Sequence, residues 1–496
     1  MNRPIRRVGA AIGVLLLALL INLNFVQVYK ADSYRNNPGN RRILLDQYGR
    51  ERGRILVSDA NNDVIVAKSV KTSDRLKYER SYPQGPEYAP LTGYDSLLYA
   101  TTGMEQAASS LLSGDDNRLF TTRLSDLLTG RDPRGGDVTL TINAKAQDAA
   151  YKAMGKRVGA VVAIEPKTGA ILAAVSTPSY DPNLLSSHSI DKIRANYLKL
   201  SHAAGTPLLN RAFNQLYPPG SVFKIVDTAA ALTHGRTPAT VLAAPTRLRL
   251  PGTTTYLNNY AGESCGSNGK ITLDAALTIS CNTAFANLAL SLGTSTIRSQ
   301  AALFGIDDQG QSVPLSVAAS TVGAVPDQAA LAQAAIGQRN VRITPLQAAA
   351  MVAAVANNGV LMKPYLIDHE SAPDLSVLQT AQPQQQSTVL TPLQNNQLVT
   401  MLEHVVSRGT GRPAQVSGVT VAGKTGTADT GLKTAAGKAQ APDAWFAGFA
   451  PAASPRIAVA VIVENGGTSN NEVTGGKVAA PIAAAVIKAY LDAVPK

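Results

Sequence analysis

YPPGSVFK, residues Tyr217–Lys224, sets two prolines and a glycine directly before a serine, with a lysine three positions on. Pro218 and Pro219 keep the preceding residues out of helix, and Gly220 permits a sharp turn. The following SVFKIVDTAAAL has helical periodicity, so Ser221 is predicted at a helix N-terminus. At i, i+3 the Ser221 hydroxyl and the Lys224 ammonium share one face of the first turn. Serine is a poor nucleophile until a base takes its proton, and lysine is that base only when burial or nearby cations favour its free amine. The backbone N–H groups of a helix start also suit a developing oxyanion. Alone, the pair reads as a helix cap followed by a solvated lysine.

Two further stretches change that balance. SCN, Ser280–Asn282, lies in the apolar context TISCNTAFANLAL, and KTGT, Lys424–Thr427, ends the strand-like run VTVAGKTGT. Singly, Ser280 and Asn282 read as turn residues, Lys424 as a solvated strand end and Thr427 as a β-former. Together, Ser-x-x-Lys, Ser-x-Asn and Lys-Thr-Gly in this order form the signature of the serine penicillin-recognising enzymes.

The setting agrees. Arg3, Arg6 and Arg7 precede an apolar run from Val8 to Ile21 that continues to Val28. This predicts a cytoplasmic tail (1–7), a transmembrane signal anchor (8–28) and export of the rest. The alternative, a cleaved signal peptide, has only the poor site Ala31-Asp32-Ser33 nearby. The 496 residues allow two or three domains. A net charge of +12, from 46 Lys and Arg against 34 Asp and Glu, suits anionic surroundings. The charge is dispersed and one Trp is present, which disfavours a nucleic-acid surface.

After the anchor, RILVSD (Arg54–Asp59) and DVIVAK (Asp63–Lys68) flank an Asn-Asn turn in an irregular α+β module, taken as 29–150. GAVVAIEPKTGAILAAVSTPSYDPN, Gly159–Asn183, then gives a strand hairpin opening a larger domain, 151–496. Helical stretches at Asp227–Leu232, Leu273–Leu292 and Pro345–Asn358 and a strand near Arg456–Glu464 predict an α+β fold, its sheet assembled from distant pieces of chain. QPQQQ (Gln382–Gln386) and Ala428–Pro442 read as exposed loops, the latter mobile over a cleft.

The chain resembles a class B penicillin-binding protein of the actinobacterial penicillin-binding protein A type over nearly its full length. Besides the three motifs, GRERGRIL (Gly49–Leu56), GRDPRGGDVTLTIN (Gly130–Asn143), ITPLQAAAMVAAVANNG (Ile343–Gly359), AWFAGFAP (Ala444–Pro451) and GGKVAAPI (Gly475–Ile482) carry the likeness. Such proteins often have His before Ala-Trp-Phe; here Asp443 stands there. The resemblance implies an antiparallel sheet with flanking helices and an all-helical lobe, after a pedestal- or dimerisation-like module. It implies a peptidoglycan D,D-transpeptidase that takes stem pentapeptides, releases D-Ala and is acylated by β-lactams. Ser221 would be the nucleophile, Lys224 its base and Ser280 a proton relay. Asn282, Lys424, Thr425, Gly426 and Thr427 would bind substrate, and the N–H groups of Ser221 and Thr427 would form the oxyanion hole. No metal or cofactor is implied. A SEDS-type glycan polymerase and other elongation or division proteins are the implied partners, since 29–150 is too short for a second catalytic domain.

Other functions fit less well. The five histidines, His188, His202, His234, His369 and His404, form no hydrolase motif. No Glu-x-x-x-Asn or Glu-x-x-Asn between Ser280 and Lys424 supplies a β-lactamase's deacylating glutamate. A D,D-carboxypeptidase or a silent β-lactam sensor or scaffold stays open. The two cysteines, Cys265 and Cys281, are expected to pair in an exported chain, tying ESCGSN to the Ser-x-Asn motif. A buried free thiol is the alternative.

Overall fold

In the computed structural model, residues 2–30, 48–58, 63–130, 132, 134–308, 313–433, 437, 439–466 and 474–494 are described. The expected Asn-Asn turn at 61–62, the cleavage site at 31–33 and part of the 428–442 loop lie outside them.

The N-terminal apolar run forms a helix, Asn2–Asn24, continued by a π-helical turn, Phe25–Tyr29. It is the one helix among the described residues long and apolar enough to cross a membrane.

The larger unit is built on a five-stranded antiparallel sheet in the order Ala422–Ala428, Asp443–Ala450, Ile457–Val463, Gly159–Ile164, Ile171–Thr177. Strands from both ends of the unit thus meet in one sheet, as the sequence predicted. Ile457–Val463 and Gly159–Ile164 are buried along their whole length, which explains their continuous apolar spelling. Helices Ala144–Met154 and Gly475–Ala493 cover one face, and Pro345–Ala356 packs on the other. Beyond it lies a helical lobe that includes Lys224–Thr233, Asn282–Leu292 and Pro392–Ser407.

The smaller unit holds a six-stranded sheet in the order Val377–Thr380, Ile367–Ser371, Asp137–Asn143, Ile55–Ser58, Val64–Lys71, Tyr78–Ser81. Its first two strands come from far along the chain. Ser371 pairs with Asp137 and Ile367 with Leu140. Behind the sheet, Arg52 Nε and Arg80 Nε each donate to the buried Glu105 carboxylate at 2.6 Å. Burial would raise the Glu105 carboxyl, but the two guanidiniums win and hold it below its ordinary range.

Three expectations need correction. Leu273–Leu292 is not one helical stretch: it breaks into Leu273–Ile279 and Asn282–Leu292, with Ser280 left-handed at φ 64° between them. The Gln-rich patch is not all loop, because Gln385–Thr388 forms a strand against Val360–Met362. Ser221 does not begin an α-helix: Gly220–Phe223 is a 3₁₀ turn, and the α-helix starts at Lys224.

Candidate active site

The question posed by Pro-Pro-Gly before Ser221 has a steric answer. Gly220 has φ +53°, and a Cβ there would lie 2.8 Å from the Thr427 carbonyl oxygen. A Cβ on Gly426 would lie 2.8 Å from the Pro219 carbonyl oxygen. The Ser221 turn and the Lys-Thr-Gly strand therefore meet backbone to backbone, which only glycine allows. Trp445 Nε1 donates to the Pro218 carbonyl at 3.0 Å, and Gly220 N to the Gly337 carbonyl at 3.0 Å, fixing the turn from both sides.

Ser221 opens onto a cleft of about 970 Å³ that Ser280, Asn282, Thr410, Thr425 and Thr427 also line. Lys224 and Lys424 stand behind this wall, both 0% exposed. Lys224 Nζ donates to the Ser280 carbonyl at 2.8 Å, the Ser280 hydroxyl at 3.3 Å and Asn282 Oδ1 at 2.8 Å. The helix break at Ser280 brings these acceptors to the lysine. A left-handed serine is costly, and such backbone persists where its surroundings impose it. Asn282 Nδ2 donates to the Asn258 carbonyl at 3.1 Å, so both ends of its amide are engaged.

Burial, and secondarily Lys424, push Lys224 well below the usual lysine range. Burial alone takes Lys424 down to about 7. Two adjacent buried lysines thus favour the free amine, the form in which Lys224 can accept a proton. Lys424 Nζ donates to the Thr425 carbonyl at 3.0 Å, and Gly475 N donates to the Thr427 hydroxyl at 3.3 Å.

Thr410 escaped the sequence reading. Its hydroxyl lies 2.6 Å from that of Thr425 across the cleft floor. No motif marks it, because it reaches the site from the loop after Pro392–Ser407. Asp227 carried a signal that could have been read: it is the lone acid on an apolar helix, three residues beyond Lys224. Cys265 and Cys281 are joined, with Cα atoms 5.9 Å apart, so the bridge anchors the middle residue of the Ser-x-Asn motif. Asp443 begins its strand opposite Ala428, buried, with Oδ1 accepting from Asn465 N at 3.0 Å. Burial first, then the Glu464 charge, push its carboxyl up to about 7. Among the described residues no cluster of three or more His, Cys, Asp or Glu could hold a metal ion.

A serine beside a helix start, two buried lysines and a hydroxyl-lined strand across a cleft define a Ser-x-x-Lys acyl-transfer site in an α+β fold. The family model "Penicillin binding protein transpeptidase domain" matches residues 159–488, and "Penicillin binding protein A dimerisation domain" matches 52–138. The chain belongs to the penicillin-binding protein transpeptidase family. It is 45% identical to the peptidoglycan D,D-transpeptidase PbpA of Mycolicibacterium smegmatis over 99% of each chain. The PbpA of Mycobacterium tuberculosis is 44% identical over 100% of each. The solved penicillin-binding protein A of M. tuberculosis, as a ceftriaxone acyl-enzyme complex, matches with TM-score 0.86 and 44% identity, over 90% of this chain and 100% of that one. Its penicillin G acyl-enzyme complex matches with TM-score 0.84 and 44% identity, over 89% and 100%.

Proposed function

We propose that this chain is a peptidoglycan D,D-transpeptidase and a β-lactam target, working through an acyl-enzyme on Ser221. The observation that carries the reading is the convergence of Ser221, Lys224, Ser280 and the Lys424–Thr427 strand on one cleft. Ser221 Oγ attacks the penultimate D-Ala carbonyl of a stem pentapeptide while Lys224 takes its proton. The N–H groups of Ser221 and Thr427 hold the oxyanion. Collapse breaks the amide, and the Ser280 hydroxyl, in contact with Lys224, passes a proton to the departing D-Ala nitrogen. An amine of a second stem peptide then attacks the ester, forms the cross-link and frees Ser221. Lys424, Thr425 and Thr427 attract the terminal carboxylate, Gly426 admits the substrate backbone, and Asn282 orients Lys224 while facing the substrate amide.

The same reading assigns 1–7 to a cytoplasmic tail and 8–28 to a membrane anchor. It assigns 29–150 to a non-catalytic module and 151–496 to the transpeptidase domain outside the cytoplasm. By its packing on Gly475–Ala493, helix Ala144–Met154 sides with the latter. A SEDS-type polymerase supplies the glycan strands.

Incubation with a pentapeptide donor, with and without an acceptor amine, followed by mass spectrometry, tests the activity. Cross-linked product is expected. Free tetrapeptide alone would make the chain a carboxypeptidase, and no turnover with intact β-lactam binding would make it a sensor. The β-lactam adduct is expected on Ser221 and absent in Ser221→Ala; an adduct elsewhere overturns the assignment.

A further inference from the structure

Pro218 and Pro219 leave the approach to Ser221 without backbone donors at two successive positions. Apart from a bridge between Tyr217 and Ile343, the stretch 217–219 belongs to no helix or strand, so Ser221 is placed by whatever grips this stretch from outside. The Tyr217 side chain, buried, supplies most of that grip. Its ring stands edge-on to Trp445, centroids 6.0 Å apart at 84°, and Trp445 in turn holds the Pro218 carbonyl. Its hydroxyl donates to Glu464 Oε1 at 2.6 Å.

The same oxygen accepts from Arg211 Nε at 2.8 Å. Arg211 opens the short helix Arg211–Asn214, so one atom of Glu464 ties both ends of the segment leading to Ser221. Glu464 is itself well anchored. It follows the buried strand Ile457–Val463, and its N–H donates to the Val158 carbonyl at 2.8 Å. Arg211 has other acceptors in the Gly205 and Thr206 carbonyls and the Thr206 hydroxyl, whereas among the described residues the Tyr217 hydroxyl bonds to Glu464 alone. A phenylalanine would fill the same space and need no acceptor. What the hydroxyl adds is direction: it fixes the tip of the ring, and with it the edge on which Trp445 packs.

We infer that Glu464 and Tyr217 are positioning residues of the acyl-transfer site: the carboxylate, braced by Arg211, holds the Tyr217 hydroxyl and so sets the Pro218–Ser221 turn against the Lys424–Thr427 strand. The inference rests on the reading of Ser221 as the nucleophile. Neither residue is among those that line the cleft, so both act through Ser221 and leave the docking of substrate alone. Attack on a carbonyl is steeply sensitive to such placement.

The test is acylation of the full chain by a fluorescent penicillin over a range of concentrations, which separates the dissociation constant of the non-covalent complex from the limiting rate. Tyr217→Phe keeps the ring against Trp445 and should lower the limiting rate about tenfold, the scale of a sub-ångström misplacement. The dissociation constant should stay unchanged, and the melting temperature should fall by no more than about 4 °C. Glu464→Ala should slow the reaction at least as much, and Glu464→Gln, whose amide oxygen still accepts from the hydroxyl, should recover most of the rate. Tyr217→Phe combined with Glu464→Ala should be no slower than Glu464→Ala alone, because both remove one contact. If Glu464→Ala fails to fold, Tyr217→Phe and Glu464→Gln carry the test. Limiting rates that are unchanged per folded molecule, or a loss confined to the dissociation constant, overturn the inference and leave Ser221 as the nucleophile. Absence of an adduct on Ser221 in the unsubstituted chain would instead strike the functional reading, and this inference with it.

Discussion

The two units bury charge in opposite ways. In the N-terminal unit Glu105 is clamped between Arg52 and Arg80, with Asp95 3.8 Å from Arg52 and held by the Tyr48 hydroxyl at 3.0 Å. In the catalytic unit two lysines of like sign lie buried near one another, and the nearest acid, Asp227, touches neither through a hydrogen bond. Opposite charges in contact offset their own desolvation and fix a geometry. Like charges and an unpartnered acid leave protonation states close in energy, which chemistry can use. One cluster holds shape; the other holds reactivity.

This contrast can be broken most sharply at Lys224. Lys224→Met removes the proposed base and a buried amine together. Acylation should fall by about 10²- to 10⁴-fold, while thermal unfolding shows no loss of stability. A matching drop in melting temperature would make Lys224 a structural residue. The reverse is expected at the other cluster. Glu105→Gln strands Arg52 and Arg80 and should cost about 3–5 kcal/mol in denaturant unfolding, with acylation per folded molecule unchanged.

The disulfide tests whether the catalytic wall also depends on shape. Cross-linking Cys265 to Cys281 is worth about 3 kcal/mol by loop entropy. Cys265→Ser should lower β-lactam acylation by a larger factor than it lowers stability, because Cys281 sits between Ser280 and Asn282. Free-thiol titration of the denatured, unreduced protein checks the premise, and two reactive thiols would remove it.

Asp443 offers the cleanest control, a buried acid away from the proposed acyl-transfer residues. Its folded carboxyl is raised to about 7 from 3.8. A raised group gives its full stability below the unfolded value and loses it as pH climbs to the folded one. The native protein should therefore weaken between about pH 4 and 7 relative to Asp443→Asn, with the gap constant above. Melting curves across that range, flat in their difference, would show that burial is not what sets this carboxyl.

The candidate acyl-transfer residues were legible in sequence because such chemistry dictates residue type, and three motifs in order leave few alternatives. The five-stranded sheet was legible from continuous apolar strands at both ends of the domain. What escaped has a common cause. The break at Ser280 sits inside a stretch whose composition favours continuous helix, so tertiary demand overrode propensity. Thr410 and Gly337, whose carbonyl accepts from Gly220 N, come from loops with no local signature. Glutamines carry no strand pattern, and Gln385–Thr388 pairs only because Val360–Met362 offers an edge.

The hairpin Ile367–Thr380 bears on how the protein is made. Asp137–Asn143 leaves the ribosome long before the strand that will lie against it, and the intervening chain includes the helix Lys224–Thr233 and most of the helical lobe. The first-made unit therefore carries an open strand edge throughout synthesis, a template for pairing with other chains. Maturation cannot run as one unit followed by another. A fragment ending near residue 150 would expose that edge permanently and aggregate, whereas a circular permutant of the chain beyond the N-terminal apolar helix, beginning upstream of Ile367, would present both halves of the sheet early.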